Sequence, residues 1–141
     1  PRMNVVDTSG WLAYFAGEPN AKHFAPALQK PQELVVPTVT LYEVFKVVLR
    51  ESSANAALQA VAAMQKGTVV DLTPKLALAA SKLSLRHALP MADAIIFATA
   101  QAFEATLWTH DAHFKAIDGV KYMARARPAS ATPEVWETAT R

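Results

Sequence analysis

Asp7, Glu43, Asp93 and Asp111 each stand where an apolar strand or a polar turn hands over to a helix. A carboxylate at a strand's carboxyl end or in a helix's first turn points out of the core, and four of them on one edge of a sheet could hold a hard divalent cation. Oxygen ligands with no cysteine and no convincing histidine pair favour Mg²⁺ or Mn²⁺ over zinc. Mg²⁺ keeps several of its waters, so few carboxylates hold it and a substrate phosphate completes the shell. The chemistry that suits such a cluster is phosphodiester hydrolysis, because the ion lowers the pKa of a bound water and neutralises charge on the reacting phosphate.

Each acid taken singly has a structural explanation. Asp7 could cap the helix that follows it, a contribution of about 1 kcal/mol. Glu43 lies three residues after Thr40, the capping-box spacing. Asp93 falls in the first turn after Pro90, where negative charge complements the helix dipole, and Asp111 could cap a short helix containing Phe114. As a set they resist this account, because they are embedded in apolar sequence with few other charges nearby. Asp93 is the sharpest case: AIIFATA follows it at once, so its helix is nearly all apolar and central. An unpaired carboxylate there is costly, and a divalent cation would offset the cost.

The elements that must position these acids follow from hydrophobic periodicity. Residues 3–7 read as a short buried strand, stopped by Thr8, Ser9 and Gly10, with Trp11, Leu12 and Phe15 then recurring at helical spacing. Asn20 is a plausible cap for a second helix, and Leu34, Val35 and Val36 form a second buried strand ending at Pro37. Thr38 or Thr40 opens a long helix carrying Val44 and Val48, and a polar break at 51–55 leads to another through Met64. A third strand is expected at 68–72, and Thr73 with Pro74 starts a helix through Leu85. Pro90 starts the next helix, with Ala94, Ile95, Phe97, Ala98 and Ala102 inward; residues 106–109 give a fourth strand and 120–123 a fifth.

Short apolar strands alternating with helices predict a three-layer α/β/α fold around a central, mostly parallel sheet of four or five strands. Parallel strands place their carboxyl ends on one side, so the acids can converge there. Residues 1–125 form the expected domain. Residues 126–141, rich in Pro, Ala, Ser and Thr at their start, read as a tail that is loosely held or docks on a partner.

Composition sets the outer bounds. A chain of 141 residues, 52% hydrophobic and 18% charged, is the size of one domain with a proper core. The net charge of +2 and pI near 9.1 are consistent with a polyanionic partner but too small an excess to argue for one. The absence of cysteine excludes disulfides, thiolate zinc sites and cysteine nucleophiles, and fits a reducing cytoplasm. No apolar run approaches the roughly 18 residues of a membrane helix, and no signal peptide is visible, so a soluble cytoplasmic protein is expected.

Four blocks, VVDTSGWLAYF, TLYEVFKV, LPMADAIIFATA and LWTHDAHF, resemble in order the signature blocks of PIN-domain ribonucleases, in particular VapC-type toxins of toxin–antitoxin modules. The resemblance implies that Asp7, Glu43, Asp93 and Asp111 are the catalytic, metal-binding acids. It makes Thr109 a supporting hydroxyl, with Thr8 and Ser9 in the polar turn after the first acid. It further implies Mg²⁺- or Mn²⁺-dependent endonucleolytic cleavage of RNA and a homodimer. A cognate VapB-like antitoxin, whose C-terminal segment blocks the acidic groove, belongs to the same expectation. Asp118 stands near where the family sometimes has an additional polar ligand, although IDGV reads more simply as a turn.

Other residues invite weaker readings. His110 and His113 flank Asp111 and could serve as ligands or a general base, but read as surface residues on a short helix. His87 sits at a helix end and His23 in a helix with no evident partner; none of the four is assigned a catalytic role. Lys46 and Arg50 follow Glu43 on one helix and could reach an RNA backbone, though a solvated face explains them as well. Trp11, Tyr14 and Phe15 could stack bases, but read first as core or dimer contact, and Trp108 reads as buried. Two other functions compete. A catalytically silent PIN-like module that binds RNA or protein would be expected to have lost at least one acid. A phosphatase or receiver domain built on Asp7 would want a second aspartate two residues later, where Ser9 stands.

Overall fold

The structure, a computed structural model, describes residues 2–125; the expected tail at 126–141 lies outside them. Its strands are β1 (Asn4–Val6), β2 (Val35–Pro37), β3 (Thr68–Val70), β4 (Thr106–Thr109) and β5 (Val120–Tyr122). The helices are α1 (Thr8–Ala16), α2 (Ala21–Leu28), α3 (Thr38–Glu51), α4 (Ala54–Met64), α5 (Pro74–His87) and α6 (Met91–Ala102), with 3₁₀ turns at Pro31–Glu33 and Ala112–Phe114. Every strand pairing is parallel. The expected sheet takes the form of a three-stranded sheet, β1-β4-β5, and a two-stranded one, β2-β3, joined side by side through a bridge between Asn4 and Leu34. The strand order is therefore 3-2-1-4-5.

Adjacent residues in a strand point to opposite faces, and this alternation builds the layers. Val6 and Val36 face one core with Trp11, Leu12, Phe24, Val44 and Met64, drawn from α1 to α4. Val5 and Val35 face the other with Leu83, Ile96, Phe97 and Phe114, drawn from α5, α6 and the second 3₁₀ turn. A strand buried on both faces cannot alternate apolar with polar, which is why these strands read as continuous apolar runs. One inward assignment changes: Ala102 is exposed at the end of α6, whereas Ile95 packs partly buried against this core beside the fully buried Ile96. Asn20 precedes α2 but makes no side-chain cap, and α5 continues past Leu85 to His87 before Ala88 turns left-handed. Among the described residues no helix is long and apolar enough to cross a membrane.

Gly10 sets how closely α1 lies on the sheet. A Cβ there would stand 2.6 Å from Val6 Cγ1 and 2.8 Å from the Phe24 ring. Gly10→Ala is accordingly expected to destabilise the protein by about 1–3 kcal/mol through overpacking, lowering the urea midpoint with little change in slope. An unchanged midpoint would show that α1 can slide outward at no cost.

Candidate functional site

From β1 the chain winds outward in one direction through β2 to β3, then returns to place β4 and β5 on the other side of β1. Between β1 and β4 the winding reverses, and in open α/β sheets the crevice beyond the strands' carboxyl ends at such a point is where ligands bind. Asp7 is the first residue after β1, and Asp111 follows β4 by two residues. The first turn of α6 brings Asp93, and the second turn of α3 brings Glu43. All four line one groove of about 280 Å³, together with Thr8, Ser9, Leu12, Tyr42, Lys46, Val47 and Arg50.

Asp7 is 2% exposed and fully engaged. Its Oδ1 accepts from the backbone N–H of Ser9 at 2.6 Å and of Gly10 at 3.3 Å, and from the Ser9 hydroxyl. It therefore caps α1 as its type suggests. Its Oδ2 accepts from the Thr109 hydroxyl at 2.5 Å, and the same Thr109 oxygen accepts from the backbone N–H of Asp111 at 2.8 Å. One hydroxyl thus ties the ends of β1 and β4 together. Thr109→Val is expected to leave both partners unsatisfied in a buried place, at a cost of about 1–3 kcal/mol, while Thr109→Ser keeps most of the stability. Equal chemical denaturation of the valine and serine variants would contradict this role.

Glu43 is not in a capping box. α3 begins at Thr38 with Pro37 as its N-cap, and the Thr40 hydroxyl donates to the Pro37 carbonyl at 2.6 Å. Glu43 lies too far along the helix to reach that end, and its Oε1 instead accepts from the Thr8 hydroxyl on α1 at 2.5 Å. Asp111 does cap its 3₁₀ turn, accepting from the His113 backbone at 2.9 Å.

The carboxylates are unfavourably placed as charges. Burial pushes the Asp7 carboxyl up to about 6, against the pull of the Ser9 and Thr109 hydrogen bonds and with a further push from the charge on Asp111. Burial pushes Asp93 higher, to about 8, reinforced by the charge on Asp111 and then on Asp7 and Glu43. The two cations on the groove wall do not relieve this. Arg50 pairs with Glu51 at 2.9 Å, and the Lys46 ammonium lies 5.5 Å from the centroid of the Tyr42 ring. A crowded set of oxygen donors with no lysine or arginine paired to it among the described residues fits a hard divalent cation.

The structure also brings in His113, which the sequence reading left on the surface. Its ring is half-exposed, yet Nδ1 stands 2.7 Å from Asp111 Oδ1 and 3.5 Å from Asp93 Oδ2. The signal was local: an aspartate whose side chain accepts the N–H two residues on folds the chain back, and brings that residue's side chain over its own carboxylate. His110 goes the other way. It is buried, its Nδ1 accepts from Asn20 Nδ2 at 2.8 Å, and burial with the nearby Arg125 charge pushes its pKa down to about 4. That bond takes the asparagine expected to cap α2.

The remaining candidates lie apart from the groove. Asp118 is exposed in the turn before Gly119. His87 packs on Phe97, and His23 packs on Trp108 with its Nε2 3.2 Å from the Lys121 carbonyl. Trp11 is core, stacked on Phe15. Trp108 is only partly buried: its indole N–H donates to Asn4 Oδ1 at 2.9 Å and the Lys121 ammonium lies 4.7 Å from its ring centroid.

The PIN domain family model matches residues 5–120, a span that holds all four acids. No curated protein matches the chain. Among solved structures, a toxin–antitoxin complex from Klebsiella pneumoniae aligns with a TM-score of 0.71 at 24% identity, covering 84% of this chain and 95% of that one. VapC20 of Mycobacterium tuberculosis, a sarcin–ricin loop cleaving toxin, aligns at 0.68 with 22% identity over 88% of this chain and 98% of its own. DNA-bound VapBC from Salmonella typhimurium aligns at 0.68 with 15% identity, over 89% and 100%.

Proposed function

The chain belongs to the PIN-domain family, and from that premise we propose that it is a divalent-metal-dependent endoribonuclease acting as the toxin of a toxin–antitoxin pair. The observation that carries this reading is the convergence of Asp7, Glu43, Asp93 and Asp111 from four separate elements into one groove where, among the described residues, no lysine or arginine pairs with them. Asp93 and Asp111, which each offer an oxygen within 4.8 Å of the other's, would hold the ion, and Asp7 and Glu43 would complete the negative wall. Bound there, Mg²⁺ or Mn²⁺ supplies Lewis acidity and an activated water for hydrolysis of a phosphodiester bond.

The protein's own groups prepare that chemistry. Thr109 and Ser9 hold the Asp7 carboxylate in one orientation, and Thr8 does the same for Glu43. Lys46, on the groove wall with no ion pair among the described residues, is placed to attract a phosphate toward the acids. The toxin role draws support from the VapC and VapBC proteins that share the fold. With it come a VapB-like antitoxin covering the groove, a homodimeric assembly and a cytoplasmic setting suited to a chain without cysteine.

The test uses the full chain, labelled structured RNA and either ion. Cleavage is expected with Mg²⁺ or Mn²⁺ and none in excess EDTA. Cleavage that persists in EDTA would refute the metal reading, and no cleavage under any condition would leave a silent binding module. Expression alone is expected to arrest growth, with recovery on co-expression of the neighbouring small gene product.

A further inference from the structure

The imidazole of His113 touches two of the four carboxylates, although nothing in the phosphodiester chemistry above calls for nitrogen. One donor atom each from Asp93, Asp111 and His113 lies within 4.8 Å of the others. Neighbouring ligands on an octahedral ion with bonds of about 2.1 Å stand about 3 Å apart. The contacts of His113 Nδ1, at 2.7 Å to Asp111 and 3.5 Å to Asp93, bracket that spacing. The backbone that carries the ring is also anchored. Asp111 accepts the His113 backbone N–H at 2.9 Å, and the next residue, Phe114, is fully buried and anchors the turn.

We propose that His113 gives its Nδ1 to the ion held by Asp93 and Asp111, making this a mixed oxygen–nitrogen site that prefers Mn²⁺ to Mg²⁺. Mg²⁺ is hard, keeps its waters and gains little from imidazole, whereas a transition ion binds nitrogen more readily. The inference rests on the metal-site reading of the acids and adds to it a ligand and a choice of ion. Asp93 and Asp111 serve either ion; His113 separates them.

The full chain, stripped of metal, is titrated calorimetrically with Mn²⁺ and with Mg²⁺, and the Mn²⁺ form is examined by pulsed electron paramagnetic resonance. Wild type is expected to show a nitrogen coupling typical of a directly bound imidazole, and His113→Ala to lose it. Mn²⁺ affinity should then fall by at least about tenfold, the lower bound for losing even an outer-shell partner, with Mg²⁺ affinity nearly unchanged. His113→Asp, an all-oxygen site, should bind Mg²⁺ more tightly than wild type does. Bound Mn²⁺ without nitrogen coupling in wild type, or equal losses for both ions in His113→Ala, would overturn the proposal and leave the metal site standing. A wild-type chain that binds neither ion would overturn both. The wild-type spectrum does not depend on how any variant folds.

Discussion

Asp93→Asn is expected to abolish RNA cleavage and, in metal-free protein at pH 8, to raise the melting temperature. The two effects have one origin. Asp93 sits in the first turn of α6, whose following residues are almost all buried; burial first, and then the charges on Asp111, Asp7 and Glu43, push its pKa up to about 8. In the proposed ligand role its charge would be indispensable, so activity should fall at least about a hundredfold, since loss of an outer-shell partner alone costs 10–100-fold. As an uncompensated charge it opposes folding. At about 1.4 kcal/mol per pKa unit the strain amounts to several kcal/mol. Asparagine keeps the shape and removes the repulsion; recovering part of that energy corresponds to a rise of roughly 5 °C for a domain of this size. Calorimetry of both proteins in EDTA checks the second effect, and an asparagine variant that melts below wild type would mean that the buried, crowded Asp93 carboxylate does not oppose folding.

The stability of the metal-free protein should also depend on pH in a direction unusual for carboxylates. Asp7, raised to about 6, and Asp93, raised to about 8, hold protons in the native state that the unfolded chain releases near the ordinary value of 3.8. Where the native state binds more protons, stability falls as pH rises. The contribution of this pair is therefore fully present below about pH 4, declines through the interval and is exhausted above about pH 8. A divalent ion should reverse the trend, because it binds the deprotonated acids and binds better as pH rises. At 100 times its dissociation constant it adds about 2.7 kcal/mol. Melting curves from pH 5 to 8.5, with EDTA and with Mn²⁺, should diverge toward alkaline pH; parallel curves would argue that the ion binds elsewhere or not at all.

How far the amino acids alone disclose this arrangement can be judged residue by residue. Asp7 and Asp111 were legible because a carboxylate just after an apolar strand has both a capping role and a fixed direction. Glu43 lines the groove, and its competing capping-box reading fails because it needed Thr40 as the N-cap of α3; with the helix starting at Thr38 the glutamate lies past the cap and turns toward Thr8. The parallel strands were visible in their apolar runs. Their order was not, because it depends on which helices cover which face. His113, weighed as a ligand but read as a surface residue, reaches Asp111 and Asp93 because a single 3₁₀ turn folds back on Asp111, which no local pattern discloses. Asn20 was misjudged since a tertiary partner, His110, outbid the local cap.

The Thr109 hydroxyl that joins Asp7 to the Asp111 backbone spans 102 residues of sequence. β1 emerges first during synthesis and lies at the centre of the strand order, yet its β4 partner is made only after four-fifths of the described residues have appeared. Contacts between such distant segments form late. A growing chain on the ribosome therefore carries Asp7 without the hydroxyl that orients it and without Asp111 beside it, so the groove is assembled only when the domain is nearly complete. For a protein proposed to cut RNA, this ordering keeps the site incomplete until β4 has been made and has paired with β1.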